Sequence, residues 1–354
     1  MLKFSQMLRL EHHPNFKIDE IYPKPVISNF IKQGKLRKWA AYTDKYLIFK
    51  NRVMRRLQNN HDLIHITDHS NAVYVNEIKR FSNASILVTC HDLIAIRQAK
   101  DEFEKAPKTS KTGKFLQSWI LNSLNGADYF ACDSNQTLKD LNRLIPESCK
   151  RSEIIYLGTD STERIIDRLK KDSKFDAKKE NFVIHVGSAA WYKNRKAVFR
   201  SFINARTILP KNNLKLVLVG PVPQKEELDA QMSNWIKSNP NAIHSLQNLT
   251  ENTLAELYNY AKALVFPSFI EGFGWPPLEA AVRGCPVIST RTGAIADLLG
   301  NYAKYVEAKN QSSIDQSVQE LLRSPGSKMN AMSLPTHEDC RRQYFDLYEQ
   351  MMVN

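Results

Sequence analysis

Short runs of consecutive apolar residues, separated by longer stretches with apolar residues at helical spacing, set the pattern of the second half of the chain. Residues 182–186 (FVIHV), 214–219 (LKLVLV), 263–266 (ALVF) and 286–289 (PVIS) are such runs, and a glycine follows each of the first two. Apolar character without alternation predicts strands buried on both faces, as in a parallel sheet. Helical patterns fill the intervals at 196–208, 225–238, 251–261 and 277–283. Strand and helix in alternation make βαβ units, so this half predicts a doubly wound α/β domain.

The first half repeats the alternation less regularly. Strands are predicted over 17–22, 63–67, 86–89, 129–132 and 153–156. Helices are predicted over 4–12, 36–58, 114–124 and 135–144, with Asp133 or Ser134 capping the last. The polar stretch 162–180, rich in Lys and Asp, reads as a linker. The expected organisation is one Rossmann-like domain at 1–165 and a second at 180–335. The amphipathic segment 336–354, after Pro335, either packs on its own lobe or crosses back to the first.

A length of 354 residues suits two domains of roughly 150 residues each. Hydrophobic residues at 42% and charged residues at 25% match an ordinary soluble globular protein and exclude a disordered, collagen-like or disulfide-stapled chain. No apolar run approaches the ~20 residues that cross a bilayer. The N-terminus lacks the apolar core and cleavage site of a secretory signal. Cys90, Cys132, Cys149, Cys285 and Cys340 form no CxxC pair, which disfavours a zinc site or disulfide framework and fits a reducing cytosol.

Charge adds a partner class. Of the net +13, residues 1–100 hold +9, from 17 Lys and Arg against 8 Asp and Glu. The cations Lys32, Lys35, Arg37, Lys38, Lys45, Lys50, Arg52, Arg55 and Arg56 alternate with Phe30, Trp39, Tyr42, Tyr46 and Phe49. That mixture suits either a helix lying on an anionic membrane or one with a core face and a solvated basic face. No nucleic-acid-reading motif accompanies the charge, so nucleic acid is not an expected partner.

Ligands of open parallel sheets bind beyond the carboxyl ends of strands, and two loops there carry unusual residues. After 263–266 comes PSFIEGFGWPPLEA, in which Gly272 and Gly274 allow close backbone approach and Glu271 and Glu279 bracket a helix start. Carboxylates accept hydrogen bonds from vicinal hydroxyls of sugars and riboses; alternatively, Glu279 complements the helix dipole. After 182–186 comes GSAAWYKNR, whose Lys193 and Arg195 sit where cations oppose the helix dipole. They suit either a diphosphate or a solvated basic turn. No GxxxxGK[ST] occurs, and Gly272-Phe273-Gly274 lacks the third glycine of a dinucleotide fingerprint. His61, His65 and His69 straddle a strand rather than share a helix face, so no metal site is expected from them. His91-Asp92, at the end of 86–89, either meets a ligand or braces its loop.

Taken together these residues resemble family 4 glycosyltransferases. Glu271 to Glu279 is similar to the family's E-x7-E signature, with ALVFPS before it and LEAAVRGCPVIST and TGAIADLL after it. HVGSAAWYKNR, VTCHD, CDSNQTLKDL and YLGTD extend the match over roughly residues 60–300. The resemblance implies a two-lobed GT-B fold, a nucleotide-diphosphate sugar donor in the interlobe cleft, and transfer with retention, without a cofactor or required metal. It further implies a glycan or lipid-linked acceptor, a mannosyl or glucosyl group, and a cytoplasmic enzyme that is either free or peripheral at the inner membrane. By position, Glu271 would contact the donor sugar beside Gly272, Phe273 and Gly274. Glu279 would bind the ribose and Leu246 would lie near the base. Lys193, with Gly187, Ser188 and Arg195, would neutralise the diphosphate, and His91 would approach the transferred sugar. Asp68 and His69 would face the acceptor. The rival readings are a non-catalytic nucleotide-sugar binder, a nucleic-acid binder, and an epimerase or phosphorylase on the same fold. Two features depart from the family. The chain opens at what reads as the family's first helix, so either its start is truncated or another segment replaces the first strand. Ser188 stands where the family often has Arg.

Overall fold

The apolar runs become two parallel sheets. The computed structural model describes residues 2–8, 15–31, 34–57, 61–159, 175–210, 213–323 and 329–353. The first sheet holds β1 (Leu63–Ile66), β2 (Ser85–Cys90), β3 (Tyr129–Cys132) and β4 (Ser152–Ile154), paired in chain order. The second holds β5 (Phe182–Val186), β6 (Lys215–Val219), β7 (Ile243–Leu246), β8 (Leu264–Phe266), β9 (Val287–Ser289) and β10 (Ala303–Tyr305). Its order is β10-β9-β8-β5-β6-β7, so the winding reverses between β5 and β8. Every pairing is parallel. The central strands are the continuous apolar runs, with Phe182, Ile184, Leu264 and Phe266 fully enclosed. These are two α/β lobes on the GT-B plan, and the order reversal lies in the second sheet only.

The helix Asn135–Leu144 starts at Ser134, whose hydroxyl accepts from the Thr137 N–H at 3.1 Å. The helix His337–Val353 starts at Thr336, with reciprocal bonds to Asp339 at 2.9 and 3.1 Å. From there it runs onto the first sheet. The Tyr348 hydroxyl meets His65 Nδ1 at 2.6 Å, and the Tyr344 hydroxyl meets Thr89 at 2.9 Å. The two chain crossings between lobes run side by side: the Thr159 N–H donates to the Pro335 carbonyl at 2.7 Å, and a Cβ on Gly158 would overlap the Thr336 carbonyl at 2.1 Å.

Several expectations need correction. Residues 17–22 form no strand; Ile18 and Tyr22 stay exposed, and among the described residues no strand pairs with them. The helix expected over 36–58 is present as a continuous run over Lys35–Arg56, but it widens into a π-type stretch at Asp44–Ile48. The wider stretch starts at Asp44, whose carboxylate accepts from the N–H groups of Val26, Ile27 and Ser28 at 2.8–3.0 Å. The helix expected over 225–238 is a single turn, Lys225–Glu227, and then Ala230–Ser238, because Asp229 caps a fresh start at the Met232 N–H. The helix over 4–12 is described as Leu2–Leu8, and the rest of it lies outside the described residues. So does most of the linker 162–180, although Phe175 packs edge-on against Phe182 at 5.1 Å.

Candidate active site

Strands β5 and β8 lie side by side but connect to opposite halves of the sheet, so the loops leaving them diverge and open a crevice. The two loops are stitched together. The Phe269 N–H donates to the Tyr192 carbonyl at 2.8 Å, and the Asn194 amide donates to the carbonyls of Pro267 at 3.0 Å and Ala308 at 2.9 Å. Asn194 adopts a left-handed backbone with φ of 52°, which asparagine tolerates better than most residues.

Lys193 Nζ donates to both oxygens of Glu271, at 2.9 and 3.0 Å. Their side chains are only 14% and 7% exposed. Burial pushes the Glu271 carboxyl above its usual range, Lys193 pulls it back, and Asp92 of the first lobe pushes it further up. A Cβ on Gly187 would lie 3.3 Å from His185 Nε2 and 3.5 Å from Lys193 Cδ, so the missing side chain leaves the lysine its room. A Cβ on Gly272 would lie 2.2 Å from the His91 carbonyl oxygen, so the lobes meet here with space for hydrogen alone. Gly274 has φ of 98° and faces Ile295 at the start of the helix Trp275–Ala281, and Phe273 packs edge-on to Trp275 at 5.1 Å. Glu279, on that helix, is half-buried and accepts from the Tyr258 hydroxyl at 3.4 Å. Leu246 ends β7, and its carbonyl accepts from the Gly220 N–H at 2.9 Å. Ser188 is exposed, and its hydroxyl accepts from the Ala190 N–H at 3.4 Å.

Arg195 departs from its expected role as a second diphosphate cation. Its Nε lies 3.0 Å from Glu227 and its Nη2 donates to the Pro221 carbonyl at 2.8 Å, with the side chain 1% exposed. As the first residue of the helix Arg195–Ile208 it packs inward over the Phe199 ring and braces the loop after β6.

The first lobe presents its strand ends to this pair. His91 Nδ1 lies 3.1 Å from Asp133 and Nε2 lies 3.0 Å from the Thr67 carbonyl, both acceptors, so the ring donates from both nitrogens as an imidazolium. Burial opposes that charge, but Asp133, Asp68 and the Thr67 carbonyl together outweigh it and the His91 pKa is raised. Burial in turn lifts Asp133 to about 6, against the pull of His91. His91 therefore lines the cleft with both nitrogens committed, and it meets a sugar only by releasing one partner. Asp68 caps the turn after β1 by accepting from the Ser70 N–H at 2.7 Å. Its second oxygen, His69 Nδ1 and the other Asp133 oxygen are buried without a hydrogen-bond partner. His61, His65 and His69 do not converge. His65 is a core residue held between Tyr348 and Thr89, and burial lowers its pKa to about 3. Sequence reasoning missed the roles of Asp133 and Asn194. In sequence Asp133 reads as a helix cap, and the strand–helix junction is the signal at Asn194.

Comparison with known proteins agrees with this geometry. Residues 167–334 match the family described as glycosyl transferases group 1. The O-antigen chain mannosyltransferase RfbU of Salmonella typhimurium is 27% identical over 177 residues, 50% of this chain and 47% of that protein. The capsular polysaccharide biosynthesis glycosyltransferase CapM of Staphylococcus aureus is 27% identical over 184 residues, 49% of this chain and 47% of its own. The chain thus spans about half the length of these curated relatives. Among solved structures, the sucrose-phosphate synthase of Thermosynechococcus elongatus superposes with a TM-score of 0.68 at 19% identity, covering 97% of this chain and 85% of that one. A UDP-forming α,α-trehalose-phosphate synthase of Burkholderia xenovorans gives 0.62 at 10% identity, covering 92% and 80%. The second lobe thus carries a match to the group 1 glycosyl transferases, and the two lobes together share the GT-B fold of these solved structures.

Proposed function

We propose that the protein is a retaining hexosyltransferase that moves a mannosyl or glucosyl group from a nucleotide-diphosphate sugar to a glycan or lipid-linked acceptor. The observation that carries this reading is the enclosed Lys193–Glu271 pair at the point where the second sheet reverses. A diphosphate leaving group gains negative charge as its bond to the sugar breaks, and a fixed cation stabilises that charge. Lys193 supplies the cation, with Gly187 and Ser188 beside it. Glu271 accepts from donor-sugar hydroxyls, Glu279 from the ribose, and Leu246 borders the base. His91 approaches the transferred sugar, and Asp68 and His69 line the acceptor side. The reaction then follows front-face attack, the departing phosphate taking the acceptor proton. The names of RfbU and CapM support a role in polysaccharide assembly.

The test is a thermal-shift panel of UDP-, GDP- and ADP-sugars without added metal, followed by hydrolysis of whichever stabilises the protein. Lys193→Ala is expected to lower turnover severely, and Glu271→Ala to impair donor-sugar use. Near-normal transfer by both variants defeats the assignment, and stabilisation without any hydrolysis or transfer leaves a binder.

The reading includes peripheral contact with an anionic membrane. Phe30, Leu36, Leu47 and Trp39 are 87%, 73%, 61% and 60% exposed within the basic segment. Its one acid, Asp44, is turned inward by the bonds to residues 26–28. Trp and cationic side chains together suit a lipid headgroup layer. Among the described residues no helix is long and apolar enough to cross a membrane. Flotation with anionic vesicles at low salt, lost in Trp39→Glu, is the expected result; failure of the unmodified protein to float removes the contact.

A further inference from the structure

Near the Lys193–Glu271 pair, which lies within the second lobe, Trp191 makes one of the contacts between the lobes. Its indole N–H donates to Gln98 Oε1 of the first lobe at 3.1 Å. Its ring meets Phe103 of the first lobe at 5.1 Å, and it stacks on Phe269 of its own lobe at 6.3 Å. Lys105, also of the first lobe, lies over the Phe269 ring at 5.2 Å. The first-lobe half is built rigidly. Arg97 lies 4.6 Å over Phe103 and is itself held by Glu102 at 2.9 Å and Asp140 at 2.7 Å. Trp191 precedes Lys193 by two positions and Phe269 precedes Glu271 by two. The Phe269–Tyr192 backbone bond joins the two loops at this point.

We propose that Trp191 is a positioning residue: with Gln98 and Phe103 it forms a clasp that holds the cleft shut and seats the Lys193 and Glu271 loops in one geometry. Parting the lobes separates Trp191 from Gln98 and Phe103 but leaves its stack on Phe269. Its contacts with Gln98 and Phe103 therefore belong to the closed form alone, whereas those with Phe269 and Tyr192 persist in both forms. An offset aromatic pair and a half-buried hydrogen bond together bias a two-state equilibrium about tenfold. Closure keeps water from the cleft while the acceptor attacks, so the clasp favours transfer over hydrolysis. That consequence rests on the glycosyltransferase reading; the clasp itself does not.

Two arms test it. Small-angle scattering of the nucleotide-free full chain is expected to show a larger radius of gyration for Trp191→Ala and for Phe103→Ala. Trp191→Phe, which keeps the ring and loses the N–H, should lie between these and the parent. Because Trp191 and Phe103 act as one contact, the double alanine variant should open no further than Trp191→Ala alone. Unchanged scattering in both single variants overturns the clasp. In the second arm, binding of UDP-glucose, GDP-mannose and ADP-glucose is measured by calorimetry. Whichever binds the parent should bind both alanine variants about tenfold more weakly, with substantial recovery in Trp191→Phe. Phe103 lies on the other lobe from Lys193, so a loss there reports lobe closure rather than local damage. Parent-like affinity in both variants overturns the positioning role. If the parent binds none of the three, the donor reading fails, and the scattering arm alone decides the clasp.

Discussion

Replacing Lys193 with methionine isolates the energetics of the cleft pair. The side chains have similar length, so packing is largely kept while the cation goes. Glu271 then remains enclosed, with its own side chain 7% exposed, facing Asp92 and Tyr192 without the ammonium group 2.9 Å away. Removing one partner of a fully buried pair costs about 3–5 kcal/mol; Lys193 is partly open to solvent, so we expect the lower end, about 3 kcal/mol at pH 8. That is roughly 6–12 °C in Tm for a lobe of this size. The pH dependence follows from the raised carboxyl. A carboxyl whose folded pKa exceeds its unfolded value near 4.5 stabilises most fully below that value, and the contribution is lost as pH rises through the folded pKa. Without Lys193 the folded pKa climbs further, so the deficit of the variant should be large at pH 8 and mostly gone near pH 5. Adding Glu271→Gln should restore most of the pH 8 loss. Urea denaturation of the parent, the single variants and the double variant at both pH values measures this cycle. A deficit equal at pH 5 and pH 8, or no recovery in the double variant, refutes the reasoning.

Other perturbations read other joints of the molecule. Gly272→Ala places a Cβ against the His91 carbonyl, where backbone cannot yield, and should wedge the lobes apart with loss of transfer; a folded variant of unchanged radius and activity would contradict this. The raised His91 pKa stabilises below pH 6.5 and is lost as pH rises through the folded value. Asp133→Asn removes the main support of that charge and leaves only Asp68 and the Thr67 carbonyl against burial, so the stability gained by His91 on acidification through pH 6.5 should shrink, as denaturation across pH would report. Tyr348→Phe strips His65 Nδ1 of its partner and should cost about 1–2 kcal/mol, with faster amide exchange in the C-terminal helix.

Much of this fold was readable because its central strands are mostly apolar runs. β3 and β5 coincide with predicted runs, β6, β8 and β9 differ from them by a residue at one end, and β2 by a residue at each end. Edge strands were not readable in the same way. β7 is IHSL, half-buried throughout, and β10 is AKY, three residues long, so neither carries a buried run. Residues 17–22 carry the converse error: strand-like composition decides nothing without a neighbour to pair with. The chemistry divides similarly. The loops after β5 and β8 were visible from their glycines, prolines and charges. Which charges meet was not. Lys193 and Glu271 are 78 residues apart and His91 and Asp133 are 42, and only strand order brings them together. Arg195 looked equivalent to Lys193 in sequence because both open the same helix. One side of that helix faces the core, and Arg195 is on it.

The commitment of Arg195 to Glu227 changes how a donor must bind. Position 188 is serine, so within loops 187–194 and 267–274 Lys193 is the cation near the crevice, and Glu271 already holds it. A diphosphate carries more charge than one carboxylate, so it can draw the ammonium group away. The exchange leaves Glu271 enclosed beside Asp92 and in need of donors. Sugar hydroxyls supply them, whereas a nucleoside diphosphate lacking its sugar does not. The cleft should therefore prefer nucleotide sugar over the bare nucleoside diphosphate at pH 8, and the preference should narrow toward pH 5, where Glu271 can take a proton instead. Glu271→Gln, neutral at both pH values, should remove the pH dependence of that ratio. Calorimetric titration of GDP and GDP-mannose, or of the UDP pair, into the parent and Glu271→Gln measures it. Equal affinities for the two ligands at pH 8 would mean that Lys193 never leaves Glu271 and that the diphosphate is held elsewhere.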